Sequence, residues 1–136
     1  MNIAFFLTPK EEIAYVYDDF TLRQVLEKME RYRFAAVPVI RRDGQYVGTL
    51  TEGDILWEIK RRSSFSFRDS EVIPIMAVPR RLDNIPVNIS TDVREVVEKS
   101  LNQNFVPVVD DRGVFIGIIT RKNIIGYFRQ NVDNML

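Results

Sequence analysis

The chain has 136 residues, 46% of them hydrophobic and 28% charged, which fits one compact domain or two small halves. Lys and Arg number 19, as do Asp and Glu, and this formal net charge of zero argues against a general nucleic-acid-binding protein. The sequence contains neither Cys nor His, which excludes disulfides and thiolate metal sites and removes the commonest general base.

The sequence also argues against a membrane protein. No apolar run approaches the ~20 residues that a membrane-spanning helix requires. Residues 1–7 lack the basic leader of a signal peptide. By elimination, we expect a cytoplasmic protein.

The first half of the chain predicts the order strand, helix, strand, strand, helix. Apolar residues at i, i+3, i+4 and i+7 spacing indicate the first helix, with Thr21 as its candidate N-cap. An Asp-Gly pair at Gly44 is typical of a hairpin turn. Pro38 is expected at the beginning or edge of its strand, because proline cannot donate to a ladder. The predicted elements are a strand at 13–17, a helix from Leu22, strands at 36–40 and 46–50, and a helix from Ile55 ending near 61–62.

Residues 63–72 are predicted to link two halves, and two aromatic residues within them favour a segment that docks on the protein. The second half repeats the order of the first. Its predicted elements are a strand at 86–89, a helix at 93–101, strands at 105–109 and 114–119, and a helix at 123–128.

An internal repeat organises the chain, because equivalent residues differ in number by 69. A unit present only twice is not a solenoid and indicates two similar halves about a pseudo-two-fold axis. The predicted domains are repeat 1 (1–62), linker (63–72) and repeat 2 (73–136), and the fold class is α/β (α+β layered), β-α-β-β-α twice over a shared core. The equivalent pairs are Pro38 and Pro107, Gly44 and Gly113, Gly48 and Gly117, Thr51 and Thr120, and Asp54 and Asn123.

With these motifs the chain resembles the CBS-domain pair, or Bateman module, from about residue 8 to about residue 128. It is also similar to the stand-alone cyclic di-AMP-binding CBS pairs of Gram-positive bacteria. The resemblance implies a regulatory homodimer that binds an adenine nucleotide (AMP, ADP, ATP or cyclic di-AMP) between its repeats and signals to a partner protein. The motifs are Phe34-Ala35-Ala36-Val37-Pro38-Val39, Asn104-Phe105-Val106-Pro107-Val108-Val109 and the Thr-x-x-Asp or Thr-x-x-Asn turns.

The resemblance further implies two clefts, each combining the Thr turn of one repeat with the first strand and pre-proline residues of the other. The predicted residues of cleft one are Ala14, Tyr15, Phe34, Ala35 and Ala36 with Thr120, Arg121, Lys122 and Asn123. Those of the weaker cleft two are Ile85, Pro86, Asn104 and Phe105 with Thr51, Gly53 and Asp54.

Charge distinguishes the two clefts. Arg121 and Lys122 suit phosphate oxygens, whereas Glu52 stands at the equivalent position of the other turn and repels them. We therefore expect a phosphorylated ligand in cleft one. Two alternatives remain open: the Thr turns could be helix caps alone, and the chain could be a ligand-free dimerisation or interaction module. No converging acid–base pair is visible, so the sequence predicts neither an enzyme, a metal site nor a cofactor.

Overall fold

The computed structural model describes residues 1–135, which form four α-helices and seven short strands, and it confirms the predicted α/β class. The α-helices are α1 (Leu22–Tyr32), α2 (Glu52–Arg61), α3 (Val93–Ser100) and α4 (Arg121–Met135). The strands are β1 (Thr8–Pro9), β2 (Val16–Tyr17), β3 (Ala36–Ile40), β4 (Tyr46–Thr51), β5 (Val87–Asn88), β6 (Phe105–Val109) and β7 (Phe115–Thr120). Short 3-10 helices cover Ile3–Phe6, Lys10–Glu12, Phe67–Glu71 and Ile75–Ala77.

The chain divides into two compact units, each with its own sheet. The middle unit is Ala14–Asp83, and its strands lie in the order β2-β3-β4. The terminal unit combines Met1–Ile13 with the chain from Asn84 onward, and its strands lie in the order β1-β7-β6-β5.

In the middle unit, α1 begins with a capping box. The Thr21 hydroxyl accepts from the Gln24 N–H, and the Gln24 side chain accepts from the Thr21 N–H at 2.8 Å. The predicted start of this helix is thereby confirmed. Strands β3 and β4 form an antiparallel hairpin whose turn contains Gly44 at φ 93°, a conformation that favours glycine. The buried core includes Val16, Leu22, Val25, Val37, Val39, Leu50 and Ile55.

The terminal unit contains the equivalent hairpin, β6–β7, with Gly113 at φ 81° in its turn. Strand β1 pairs antiparallel with the outer edge of β7, where Thr8 lies opposite Ile118. The 3-10 helix before β1 therefore brings two apolar side chains, Ile3 and Phe6, into this core. The other core residues include Val87, Val96, Val106, Val108, Ile119 and Ile124.

The two equivalent prolines, Pro38 and Pro107, lie inside their strands, which corrects the prediction that Pro38 would lie at the beginning or edge of its strand. Pro38 is the central residue of β3 and lies opposite Thr49. Pairing between β2 and β3 begins only at Val39, directly after the proline, and pairing between β5 and β6 likewise begins after Pro107. Because proline lacks an N–H, the parallel ladder starts one residue later. The same reason explains why β2 and β5 begin later than the predicted strands, at Val16 and Val87.

Both ends of the chain lie in the same compact unit, although they are far apart in the sequence. Residues 1–13, predicted as part of repeat 1, belong with the second half because β1 pairs with β7. Each unit has its own buried cluster. The linker docks as predicted, since Phe65 packs against the core of the middle unit. The predicted repeat boundaries remain a prediction, and Leu136 lies outside the described residues.

Candidate functional site

The predicted basic turn lies at the beginning of α4, in the terminal unit. The Thr120 hydroxyl accepts from the Asn123 N–H at 3.1 Å, which is an N-cap contact. Arg121 and Lys122 follow the cap and are exposed. The Nε of Arg121 donates to the Ser100 carbonyl at the end of α3, at 2.9 Å. This bond orients the guanidinium, and the turn presents two cations beside a helix N-terminus.

Asn123 has a structural role that the sequence did not predict. Its Nδ2 lies 3.3 Å from both the Phe6 carbonyl oxygen and the Thr8 hydroxyl. The amide group therefore ties the segment that leads into β1 to the start of α4.

The alanine edge of predicted cleft one lies in the middle unit, at the beginning of α2. Ala36 pairs with Thr51 across the hairpin, and the Glu52 N–H donates to the Ala35 carbonyl at 2.9 Å. The equivalent bond in the terminal unit runs from the Arg121 N–H to the Asn104 carbonyl. In both units, the residues before the strand thus meet the Thr turn of their own repeat.

The other predicted residues of this edge differ in their exposure. Ala14 is 3% exposed and belongs to the core, so its side chain is not available to a ligand. Phe34 is 42% exposed and stacks on Tyr32, with ring centroids 6.4 Å apart. The Tyr15 ring is half-buried, 5.8 Å from the Tyr17 ring, with the Lys28 Nζ 5.0 Å from its centroid. Phe34 is therefore the predicted aromatic residue that is open for stacking.

Two residues of predicted cleft two are buried. Asp54 is 5% exposed; its Oδ2 accepts from the Thr51 N–H and its Oδ1 from the Arg81 N–H, both at 3.0 Å. This carboxylate therefore completes a capping box and holds a distant segment of the middle unit. The Phe105 ring is 6% exposed and lies inside the terminal unit. Ile85 and Asn104 are exposed, while Pro86, Thr51 and Gly53 are partly buried.

The structure contains a basic pocket beside Asp54 that the sequence did not predict. It has a volume of about 240 Å³ and lies in the middle unit. The sequence places Arg61 at a helix end and Arg80 and Arg81 in a loop, where such residues are usually solvated. Only the fold brings them to the same pocket. Its lining residues are Asp54, Trp57, Arg61, Pro79, Arg80 and Arg81.

The positive charge of these guanidinium groups reduces the difference in charge between the two predicted clefts. The sequence places Glu52 at the first Thr turn, and this carboxylate predicts a site that repels phosphate. The pocket adds positive charge on the same unit, although Arg80 is already bound to Asp83, with Nε 2.7 Å from Oδ1. The Asp83 Oδ1 also accepts from the Thr49 N–H at 2.9 Å, which fixes the basic segment to β4.

No α-helix within residues 1–135 combines the length and apolarity needed to cross a bilayer. Across the same residues, His, Cys, Asp and Glu side chains form no group of three or more that could hold a metal ion.

Comparison with known families decides the identity of the repeat. Residues 6–61 and residues 75–130 each match the CBS domain family. The chain belongs to the CBS domain family. The two matches make it a CBS pair, as the repeat of Pro, Gly and Thr positions indicated.

Solved structures of CBS pairs match nearly the whole chain. CbpB from Streptococcus agalactiae is 26% identical, with a TM-score of 0.80 over 95% of this chain and 80% of that chain. A CbpB in complex with c-di-AMP is 24% identical, with a TM-score of 0.86 over 99% and 89% of the two chains. CBSX2 in complex with AMP is 20% identical, with a TM-score of 0.75 over 95% and 97%. The latter two likenesses show the fold.

Curated relatives differ in how much of their length the CBS pair occupies. An uncharacterized protein of Methanocaldococcus jannaschii is 25% identical over 138 residues, covering 81% of this chain and 82% of the relative. Inosine-5'-monophosphate dehydrogenase of Aquifex aeolicus is 26% identical over 110 residues, covering 81% of this chain but 21% of the enzyme. The CBS pair is thus about a fifth of that dehydrogenase.

Proposed function

We propose that this CBS pair is a non-catalytic regulatory module that binds an adenine nucleotide and transmits the binding to a partner protein. The candidate ligands are AMP, ADP, ATP and cyclic di-AMP. The observation that carries the proposal is the exposed basic turn at the start of α4, where Arg121 and Lys122 follow the Thr120 cap. The likeness to CbpB over 95% of the chain supports it, as do the nucleotide complexes of CbpB and CBSX2.

The phosphate groups would bind at the α4 turn. Unpaired N–H groups at a helix N-terminus attract anions, and two cations beside them strengthen this attraction. The bond from Arg121 Nε to Ser100 holds the guanidinium in place, so little side-chain freedom is lost when its other nitrogens bind phosphate.

The adenine ring would bind at the edge of the first repeat that precedes β3. Ala35 and Ala36 have small side chains and leave backbone groups accessible to a base. The exposed ring of Phe34 offers a stacking surface. We propose that this edge and the α4 turn form one site with residues from both repeats.

The second site would be weaker. Both Asp54 oxygens already accept backbone N–H groups, so a ribose hydroxyl would compete with or share these bonds. Arg61, Arg80 and Arg81 would offset the repulsion from Glu52. We therefore expect occupation of this site only at higher ligand concentrations.

The proposed regulation has a thermodynamic limit. A nucleotide can shift the chain between two arrangements only by the difference in its affinity for them. A signal to a partner protein therefore requires that the nucleotide and the partner each prefer one arrangement.

Isothermal titration of the full chain with AMP, ADP, ATP, cyclic di-AMP and S-adenosylmethionine tests the proposal. We expect at least one adenine nucleotide to bind, and Arg121→Ala to weaken it about ten-fold or more, because it loses charge-assisted hydrogen bonds to phosphate. The matched control is Arg94→Ala, which removes an exposed charge from α3. This control should leave the affinity unchanged.

Other outcomes would contradict the proposal in distinguishable ways. If none of these ligands binds, the nucleotide sensor is wrong and the ligand-free interaction module remains. If Arg121→Ala binds normally while Glu52→Ala does not bind, the preferred site is wrong. A larger loss in Arg81→Ala than in Arg121→Ala would move the main site to the basic pocket beside Asp54.

A further inference from the structure

Aromatic rings and cations alternate across one surface of the middle unit. At β2, the guanidinium of Arg42 lies over the Tyr17 ring, with its Cζ 3.9 Å from the ring centroid. The Tyr15 ring meets the Tyr17 ring edge to face, with centroids 5.8 Å apart. The Nζ of Lys28, on α1, lies 5.0 Å from the Tyr15 centroid. These contacts join the edge of the sheet to the neighbouring helix.

The same surface continues along α1 to its last residue. Arg31 and Tyr32 follow Lys28 by three and four residues, which places all three on one side of the helix. The Arg31 Cζ lies 5.6 Å from the Tyr32 ring centroid, and Tyr32 is 47% exposed. Burial lowers the pKa of the Lys28 ammonium, and repulsion from the Arg31 guanidinium lowers it further, so these two cations lie close together. The members of this aromatic–basic band are Tyr15, Tyr17, Lys28, Arg31, Tyr32 and Arg42.

The acidic side chains near the band lie on its far sides. Glu27 and Glu30 line the groove between α1 and α2, which no member of the band lines. At the other end, Arg42 pairs with Asp19, with Nε 2.8 Å from Oδ2, and Asp18 adds a second negative charge near it. The formal net charge of zero is therefore distributed unevenly over the middle unit.

Lys28 and Arg31 are the cations of the band that remain available to an anion. Neither forms an ion pair with a side chain of residues 1–135. An acidic peptide would use these charges and leave the rings unused. In a single-stranded nucleic acid, unpaired bases stack on aromatic rings and guanidinium planes, while the phosphates between them bind cations. A duplex keeps its bases stacked on each other and could use the cations alone.

We propose that the aromatic–basic band binds single-stranded nucleic acid, with bases stacked on its tyrosine rings and phosphates paired with Lys28 and Arg31. Because every base has a flat face, this binding tolerates different sequences. The proposal does not rest on the adenine-nucleotide site. Tyr15 also belongs to predicted cleft one and Tyr32 stacks on Phe34, so the experiment has to separate the two sites.

Fluorescence anisotropy of fluorescein-labelled oligouridine and oligothymidine, titrated with the full chain, tests the proposal. We expect dissociation constants of about 1–100 µM at about 50 mM salt, the range of weak, sequence-independent binding. Raising the salt to about 200 mM should weaken binding about seven-fold, because two phosphate contacts give a salt slope of about −1.4. Binding of either strand supports the proposal, and the comparison of RNA with DNA identifies the preferred strand.

Variants of the band separate its charges from its rings. Arg31→Ala should weaken binding about five-fold and reduce the salt slope by about 0.7, because one phosphate contact is lost. Tyr32→Ala should weaken binding about five-fold or more, whereas Tyr32→Phe keeps the ring and should bind like the wild type. Arg62→Ala removes an exposed arginine after α2 and gives the same net charge as Arg31→Ala, so it is the matched control and should not change binding. Circular dichroism checks the fold of each variant.

Four results would overturn the proposal. The first is no binding at about 100 µM protein and low salt. The second is equal weakening by Arg31→Ala and Arg62→Ala. The third is competition by polyglutamate or by a duplex that matches competition by unlabelled oligouridine, because the rings would then contribute nothing. The fourth is loss of oligonucleotide binding in Arg121→Ala, which would place the strand at the α4 turn.

Discussion

At the residue scale, Asp83 shows how one carboxylate fixes a segment of chain. Its carboxyl group lies against Gly48, where any Cβ would overlap it, and it accepts bonds from the Thr49 N–H and from Arg80. Burial raises the pKa of the Asp83 carboxyl, but these hydrogen bonds outweigh that effect and hold the pKa below its ordinary value of 3.8. The ionised form is therefore favoured in the folded protein.

Asp83→Asn should reduce the free energy of unfolding by about 1 kcal/mol at pH 7, because the ion pair with Arg80 is lost from a partly exposed site. Since the folded-state pKa is lowered, the contribution of Asp83 is present above pH 3.8 and is lost as the pH falls towards the folded-state pKa. Urea denaturation measures the difference in the free energy of unfolding between wild type and variant at pH 7 and at pH 3. We expect this difference to be smaller at pH 3.

The control for this pH dependence is Glu98→Gln, which removes an exposed carboxylate from α3. We expect it to change stability little at either pH. If wild type and Asp83→Asn differ equally in the free energy of unfolding at both pH values, the charge of Asp83 does not hold the basic segment against β4.

At the element scale, two glycines differ in the space around them, and this space shows where another strand covers the edge of a sheet. A Cβ on Gly117 would overlap the Thr8 carbonyl oxygen and lie 3.1 Å from the Pro9 Cα, because β1 runs beside β7 as its neighbour in the sheet. Both atoms belong to the backbone of β1, which leaves little room for adjustment. Gly126 in α4, by contrast, would place a Cβ in open space.

Gly117→Ala should lower the free energy of unfolding by about 1–3 kcal/mol, because β1 must move to admit the methyl group. Gly126→Ala should raise it by about 0.5–1 kcal/mol, since alanine is the better helix former and meets nothing. Thermal or urea denaturation of the two variants measures both changes in the free energy of unfolding, which should be opposite in sign. A neutral Gly117→Ala would mean that the β1–β7 contact contributes little.

At the scale of the whole molecule, the terminal unit is assembled from the two ends of the chain. Ile3 is fully buried in its core and Phe6 is 5% exposed, whereas Phe5 between them is 74% exposed. Strand β1 then completes a four-stranded sheet. The N-terminal residues are therefore structural parts of the unit that the second repeat forms.

Ile3→Ala should destabilise the protein by about 2–5 kcal/mol, because it leaves a cavity in a packed core. Phe5→Ala is the matched control and should cost less than about 1 kcal/mol, since its ring is mostly in solvent. Urea denaturation measures the difference, and hydrogen exchange should show reduced protection in β6 and β7 for Ile3→Ala alone. Equal effects of the two substitutions would show that this segment does not belong to the core.

Local patterns in the sequence determined much of the fold. The spacing of apolar residues located α1, and Thr21 and Thr51 marked helix starts, because a cap and its partner lie within three residues. The Asp-Gly turn and the 69-residue repeat indicated the paired hairpins. These features depend on neighbours in the chain, so the order of residues is enough to predict them.

The tertiary structure alone decided which distant segments meet. It pairs β1 with β7, buries Asp54 beneath the Arg81 N–H, and gathers Arg61, Arg80 and Arg81 into one pocket. Each of these contacts depends on which sheet edge is open and which segment can cover it. That choice follows from the packing of the whole chain, because no local spacing distinguishes an exposed arginine from one that lies beside a buried carboxylate.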